Sequence, residues 1–187
     1  MVEITLSIVL QLVQTIALIV GIVYYIVTMR NQKKTRQAQL FMQVYQHYTD
    51  REWLRQQQEI QHLFDNYESY DEFMEKYGPH TNMEGYLTWN SRGNFYEGLG
   101  VLLQRGLIDP TMVDDLLSGP VVFYWEKRLA PIIDELRERF NNPAAYEWVE
   151  YLYKEIKLIR DQQHPEYSDK SLLPKELTTR KNPINNI

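Results

Sequence analysis

From Ile4 to Met29 the chain runs for 26 residues without a formal charge. Only Ser7, Gln11, Gln14, Thr15 and Thr28 are clearly polar there. A soluble core helix keeps a polar side toward water, and these residues are too few to make one. A secretion signal joins a basic start, an apolar stretch of roughly 7–15 residues and a small-residue cleavage site. Here the preceding side-chain charge is Glu3, the apolar stretch is longer, and no A-x-A pattern follows. As a helix the run covers about 39 Å, enough to cross a hydrocarbon layer of about 30 Å with some tilt. Tyr24 and Tyr25 suit a membrane–water interface. The pattern therefore predicts a transmembrane anchor over residues 1–29.

Residues 30–36 form a basic juxtamembrane segment containing Arg30, Lys33, Lys34 and Arg36. The positive-inside rule places this flank and everything after it in the cytoplasm, with the N-terminus outside the cell membrane. The same side chains suit anionic headgroups, so the lipid bilayer is an expected partner. The first 36 residues carry +3 and the chain carries −5, so residues 37–187 carry −8. Such an acidic region is a poor nucleic-acid binder, because phosphate neutralisation needs clustered Lys and Arg. The absence of cysteine excludes disulfides and thiol chemistry.

The two glutamines are not scattered. At about 100° per residue, Ser7, Gln11, Gln14, Leu18, Gly21 and Tyr25 fall within about 80° of one another. Amides and small residues on one face are what helix–helix contacts in lipid use, since an amide facing hydrocarbon lacks a partner. Ser7, Gln11, Gln14 and Gly21 are thus the expected contact with a second copy or another membrane protein.

Beyond the basic segment the period becomes that of amphipathic helices. Leu40, Phe41, Val44, Tyr45 and Tyr48 recur at three- and four-residue spacing. Thr49-Asp50 opens a segment from Arg51 to about Phe64, and a short helix over Tyr70–Tyr77 stops at Gly78-Pro79. A longer helix, about Met83 to Arg105, places Trp89, Gly93, Tyr96, Gly100 and Leu103 on one side. Gly93, Gly98 and Gly100 each cost it about 1 kcal/mol relative to alanine, which close packing by a neighbour would offset. Asp109-Pro110 starts a helix expected to end at Ser118-Gly119. Pro120 starts the next, kinked near Val122–Leu129 by Pro131. Ala144 to about Gln162 closes the domain, with Trp148, Leu152, Ile156 and Ile159 on one stripe. No strand signal occurs. The predicted fold is all-α: an N-terminal transmembrane helix, then a small cytoplasmic helical bundle over residues 37–164 and a polar tail, disordered by composition, over 165–187.

Catalytic patterns are missing: there is no P-loop, GxGxxG, HExxH or nucleophile elbow. Glu59/His62 and Asp161/His164 give carboxylate-x-x-His spacings that, with Glu97 and Glu126, formally match a four-helix di-metal site. His62 lies in a polar, Gln-rich stretch and His164 beside Pro165, so the spacing reads as coincidence, and neither a metal nor a cofactor is expected. Glu97, in FYEGLGVLL, is the more informative carboxylate. Surrounded by apolar residues, it needs a partner or must stay protonated. It is expected to be a buried polar anchor paired with Arg92, Arg128 or an aromatic hydroxyl or indole.

RQAQLFMQVY, YDEFMEKYGP, FYEGLGVLLQRGLID, LLSGPVVFYWEK and YEWVEYLYKEI follow the apolar run in that order. Over roughly residues 5–160 this arrangement resembles a family of uncharacterised prokaryotic single-pass membrane proteins with a helical domain of unknown function. The resemblance implies the same architecture and supplies no reaction or catalytic residue. The expectation is a non-enzymatic, membrane-anchored interaction or regulatory module, an accessory subunit of a membrane complex. The alternative is a tethered enzyme or ligand sensor with a pocket around Glu97, Trp125 and Glu126.

Overall fold

A computed structural model describes residues 6–163, and all regular structure among them is helical. The first helix, α1, runs unbroken from Leu6 to Tyr48. Nothing in its sequence stops it: no proline occurs, and its one glycine is Gly21. At 1.5 Å per residue the rod is about 64 Å long. By length and composition it is apolar enough to cross a membrane, and its apolar window is wholly exposed. Only its last turns join the bundle, where Phe41 and Tyr48 are buried and Leu40, Val44 and Tyr45 pack against the core.

The bundle's helix starts are set by local capping chemistry. Asp50 accepts from the backbone amides of Glu52 and Trp53 at 2.9 and 3.4 Å and opens α2, Arg51–Gln58. Ser69 caps α3, Tyr70–Tyr77, while Glu72 reaches back to the Glu68 amide at 2.9 Å. Asn82 caps α4, Met83–Gln104. Asp109, followed by Pro110 at the first helical position, caps α5, Pro110–Tyr124. Each side-chain oxygen satisfies an amide donor that a helix start otherwise leaves orphaned. The left-handed Gly106, φ +62°, turns the chain between α4 and α5.

Two further helices complete the bundle: α6, Ile133–Arg139, and α7, Glu147–Gln163. The broadest contacts are those of α7 with α4 and with α5, while α3 touches α4 and α6. The predicted α4 face is buried in full: Trp89, Gly93, Tyr96, Gly100 and Leu103 all point inward, with Arg92 among them. On α7 the buried stripe is Val149, Leu152 and Ile156. Leu152 and Ile156 belong to the predicted stripe; its other two members, Trp148 and Ile159, are only half-buried, and Val149 is buried in place of Trp148.

Three boundaries differ from the sequence expectations. The break expected at Ser118-Gly119 is absent, and α5 passes through Gly119-Pro120 to Tyr124. The carbonyl that Pro120 leaves without a donor belongs to Leu116, which is 45% exposed, so water can serve it. The helix expected to run on, kinked, through Pro131 is instead broken: a π-helical turn, Trp125–Leu129, closed by Ala130 donating to the Trp125 carbonyl at 2.8 Å, leads into a turn at 130–132, and α6 starts afresh at Ile133. Another π turn, Glu59–Leu63, extends α2 and is the first of the two among the described residues, with Trp125–Leu129 the second. Finally, α7 starts at Glu147 rather than Ala144, because Tyr146 adopts φ +54°. The expected tail over 165–187, with Glu3 and His164, lies outside the described residues.

Candidate functional site

The α4–α7 contact is built on three residues of one α4 face. At Gly93 a Cβ would come within 2.6 Å of the Tyr146 ring and 2.8 Å of the Tyr124 hydroxyl; at Gly100 it would run into the Trp148 carbonyl. Close approach therefore offsets the glycine penalty at these two positions. Gly98 faces open space and gains no such contact. Between the two notches sits Glu97. Its carboxylate accepts the Val149 amide at 2.9 Å and also engages the Trp148 amide. These are the orphan donors at the start of α7, which the left-handed Tyr146 does not cap with its own side chain. Glu97 thus caps a neighbouring helix, and the helix dipole there favours its charge. Half-burial raises its pKa while the two amide bonds oppose the rise. Glu97 is half-buried rather than buried, and the partners seen are helix amides, neither Arg92 nor Arg128.

Those arginines are buried elsewhere, at 1% and 2% exposure. Arg128, in the second π turn, donates to the Ile60 carbonyl at 2.7 and 3.0 Å and to Phe64 at 3.0 Å. It also reaches the Asp65 carbonyl at 3.3 Å. The first π turn exposes these carbonyls: Phe64 reaches back to Glu59, and the Asp65 amide turns to the Tyr77 hydroxyl. A helix C-terminus thereby holds a buried cation, although burial still lowers its pKa. Tyr67 donates to the Arg128 carbonyl at 2.6 Å and accepts from the Trp89 indole at 3.0 Å. Arg92 lies 3.9 Å over the Trp53 ring and donates to the Trp53 carbonyl at 2.8 Å. The sequence signal for Arg92 was its place within the apolar α4 stripe. Arg128 had none, because its role depends on a π turn.

Trp125 and Glu126 engage a different part of α7. Trp125 stacks on Tyr153 with centroids 5.6 Å apart, and Tyr153 donates to Glu126 at 2.8 Å. Lys157 stands 3.9 Å from the same carboxylate. These contacts are helix-to-helix cement, as is that of Glu97, which serves the first turn of α7. Of the carboxylate-x-x-His residues, Glu59 faces Arg55 at 3.5 Å, and no group of three or more His, Asp or Glu side chains able to hold a metal occurs among the described residues.

The remaining expected site residues lie on the bare part of α1. Ser7, Gln11, Gln14 and Gly21 are exposed along one side of the rod, and no atom approaches the position a Gly21 Cβ would take. Arg30, Lys33, Lys34 and Arg36 follow, all exposed, and none forms an ion pair among the described residues.

The protein is thus an all-α bundle carried on one long helix whose apolar first part is exposed and whose last turns join the core. Residues 8–156 match the family described as a domain of unknown function, DUF4760, and the chain belongs to that family. No curated protein and no solved structure matches it.

Proposed function

We propose that the protein is a membrane-anchored interaction module. In this reading the apolar part of α1 spans the cell membrane, the N-terminus lies outside, and the acidic bundle works in the cytoplasm. Ser7, Gln11, Gln14 and Gly21 contact a helix of another membrane protein or of a second copy. The observation that carries the reading is the exposure of Leu6–Met29, where large apolar side chains stand 39–76% exposed in a helix continuous with a well-packed core. At about 1.5–3 kcal/mol for each such side chain, water would oppose this arrangement by tens of kcal/mol, and lipid removes the penalty. The basic flank after Met29 supports the orientation.

Because the chain has no cysteine, single reporters are unambiguous. Val2→Cys should react with a membrane-impermeant maleimide in intact cells, and Gln46→Cys only after lysis. The opposite pattern would refute the orientation, and release of the protein by alkaline carbonate would refute the anchor. Gln14→Cys in native membranes should give a crosslinked species; monomer alone would count against the intramembrane contact.

A further inference from the structure

Where α1 enters the bundle, the α4–α5 corner comes up beside it. Gln37 Nε2 donates to the Gly106 carbonyl at 2.9 Å and ties the corner to the rod. A groove of about 470 Å³ opens there, lined by Met29, Lys33, Arg36, Leu40 and Leu107. Met29 and Leu107 are 47% and 45% exposed, so both ends of the groove present apolar surface. Lys33 and Arg36 are exposed on its wall and form no ion pair among the described residues. At about 100° per residue they lie about 60° apart around α1, whereas Arg30 and Lys34 point a quarter-turn or more away from the groove. Lys33 is about 6 Å beyond Met29 along the axis. In the span reading, that is where headgroup phosphates begin and acyl chains end.

We infer that this groove binds an anionic phospholipid. Lys33 and Arg36 hold the headgroup phosphate through charge-assisted hydrogen bonds, for which a guanidinium and an ammonium are suited. Met29 and Leu107 flank the first carbons of an acyl chain. The apolar walls are what a free phosphate ion would leave unused, and they select a lipid. Bound in this way, the lipid fixes the Gly106-Leu107 corner against the membrane surface and sets the height of the bundle. The inference rests on α1 being a membrane span.

The test uses the full-length protein. Carbonate extraction comes first: recovery in the soluble fraction overturns the span and the groove together, and retention in the membrane leaves the span standing. Native mass spectrometry in mild detergent then compares retention of added phosphatidylglycerol and phosphatidylcholine. Wild type should retain phosphatidylglycerol several-fold better. Lys33→Gln/Arg36→Gln should abolish that preference, and Arg30→Gln/Lys34→Gln, with the same net charge, should keep it. Equal loss in both pairs, or no preference in wild type, overturns the groove and leaves the span intact. All four side chains are exposed, so near-UV circular dichroism should be unchanged. If the first pair loses that signal, Leu107→Ser decides alone: weakened retention supports the groove and unchanged retention overturns it.

Discussion

The two parts of α1 share one helix and obey opposite rules. From Leu6 to Arg36 the rod is exposed on all sides apart from the half-buried Thr28, and its large apolar residues pack against nothing in the chain. From Gln37 to Tyr48 the same rod turns one stripe inward and buries Phe41 to 1% exposure. Regular backbone hydrogen bonding therefore says nothing about which solvent a helix is built for. The angular distribution of polarity does: one part is apolar around most of its circumference, and the other on one side only.

The comparison can be broken from either end. The largest effect should come from Arg128→Ala, far from the rod. It removes the donors from the buried Ile60 and Phe64 carbonyls, at about 1–3 kcal/mol each, and from the part-buried Asp65 carbonyl, so a loss on the order of 4 kcal/mol is expected. Thermal melting of the full chain in detergent micelles should register it, with membrane association unchanged. Conversely, Ile19→Arg should disfavour membrane insertion by about 2.5–3.5 kcal/mol and leave the bundle's melting temperature untouched. A melting shift there would show that the rod's bare part packs on the bundle after all.

Within the bundle, Gly100→Ala should destabilise by about 1–3 kcal/mol, because the new methyl meets the Trp148 backbone. Gly98→Ala, two residues away with open space around it, should stabilise by roughly 0.5–1 kcal/mol. The smallest loss belongs to Glu97→Ala, about 0.5–2 kcal/mol for an uncapped α7. Glu97→Gln should recover part of it, since the amide oxygen still accepts from Val149; amide exchange in the first turn of α7 would report both.

The helix starts at Asp50 and Asp109 were readable from the sequence because a cap is written in adjacent residues, whereas the capping by Ser69 and Asn82 was not read there. The α4 face was readable for the same reason, its period being local. What escaped depends on distant partners. Pro120 looks like a breaker until Leu116 is known to face solvent. The two π turns make sense only once Arg128 is seen to join them. Glu97 was identifiable as a residue needing a partner, but its partner is the start of a helix fifty residues away in the chain. The groove beside Gly106 was half visible: the basic cluster stood in the sequence, while Gly106 and Leu107 come to it only through the fold.

Continuity at the rod's middle has a mechanical consequence. No glycine, proline or π turn interrupts α1 between Gly21 and Tyr48, so the juncture has no joint in which motion could dissipate. A twist or tilt imposed on the outer part is therefore passed along continuous helix to Phe41 and Tyr48, where α1 is buried in the bundle. Inserting one alanine after Lys34 would rotate the bundle by about 100° and raise it by about 1.5 Å relative to the apolar segment. The heading of every surface on the bundle is in this way geared to the phase of one helix.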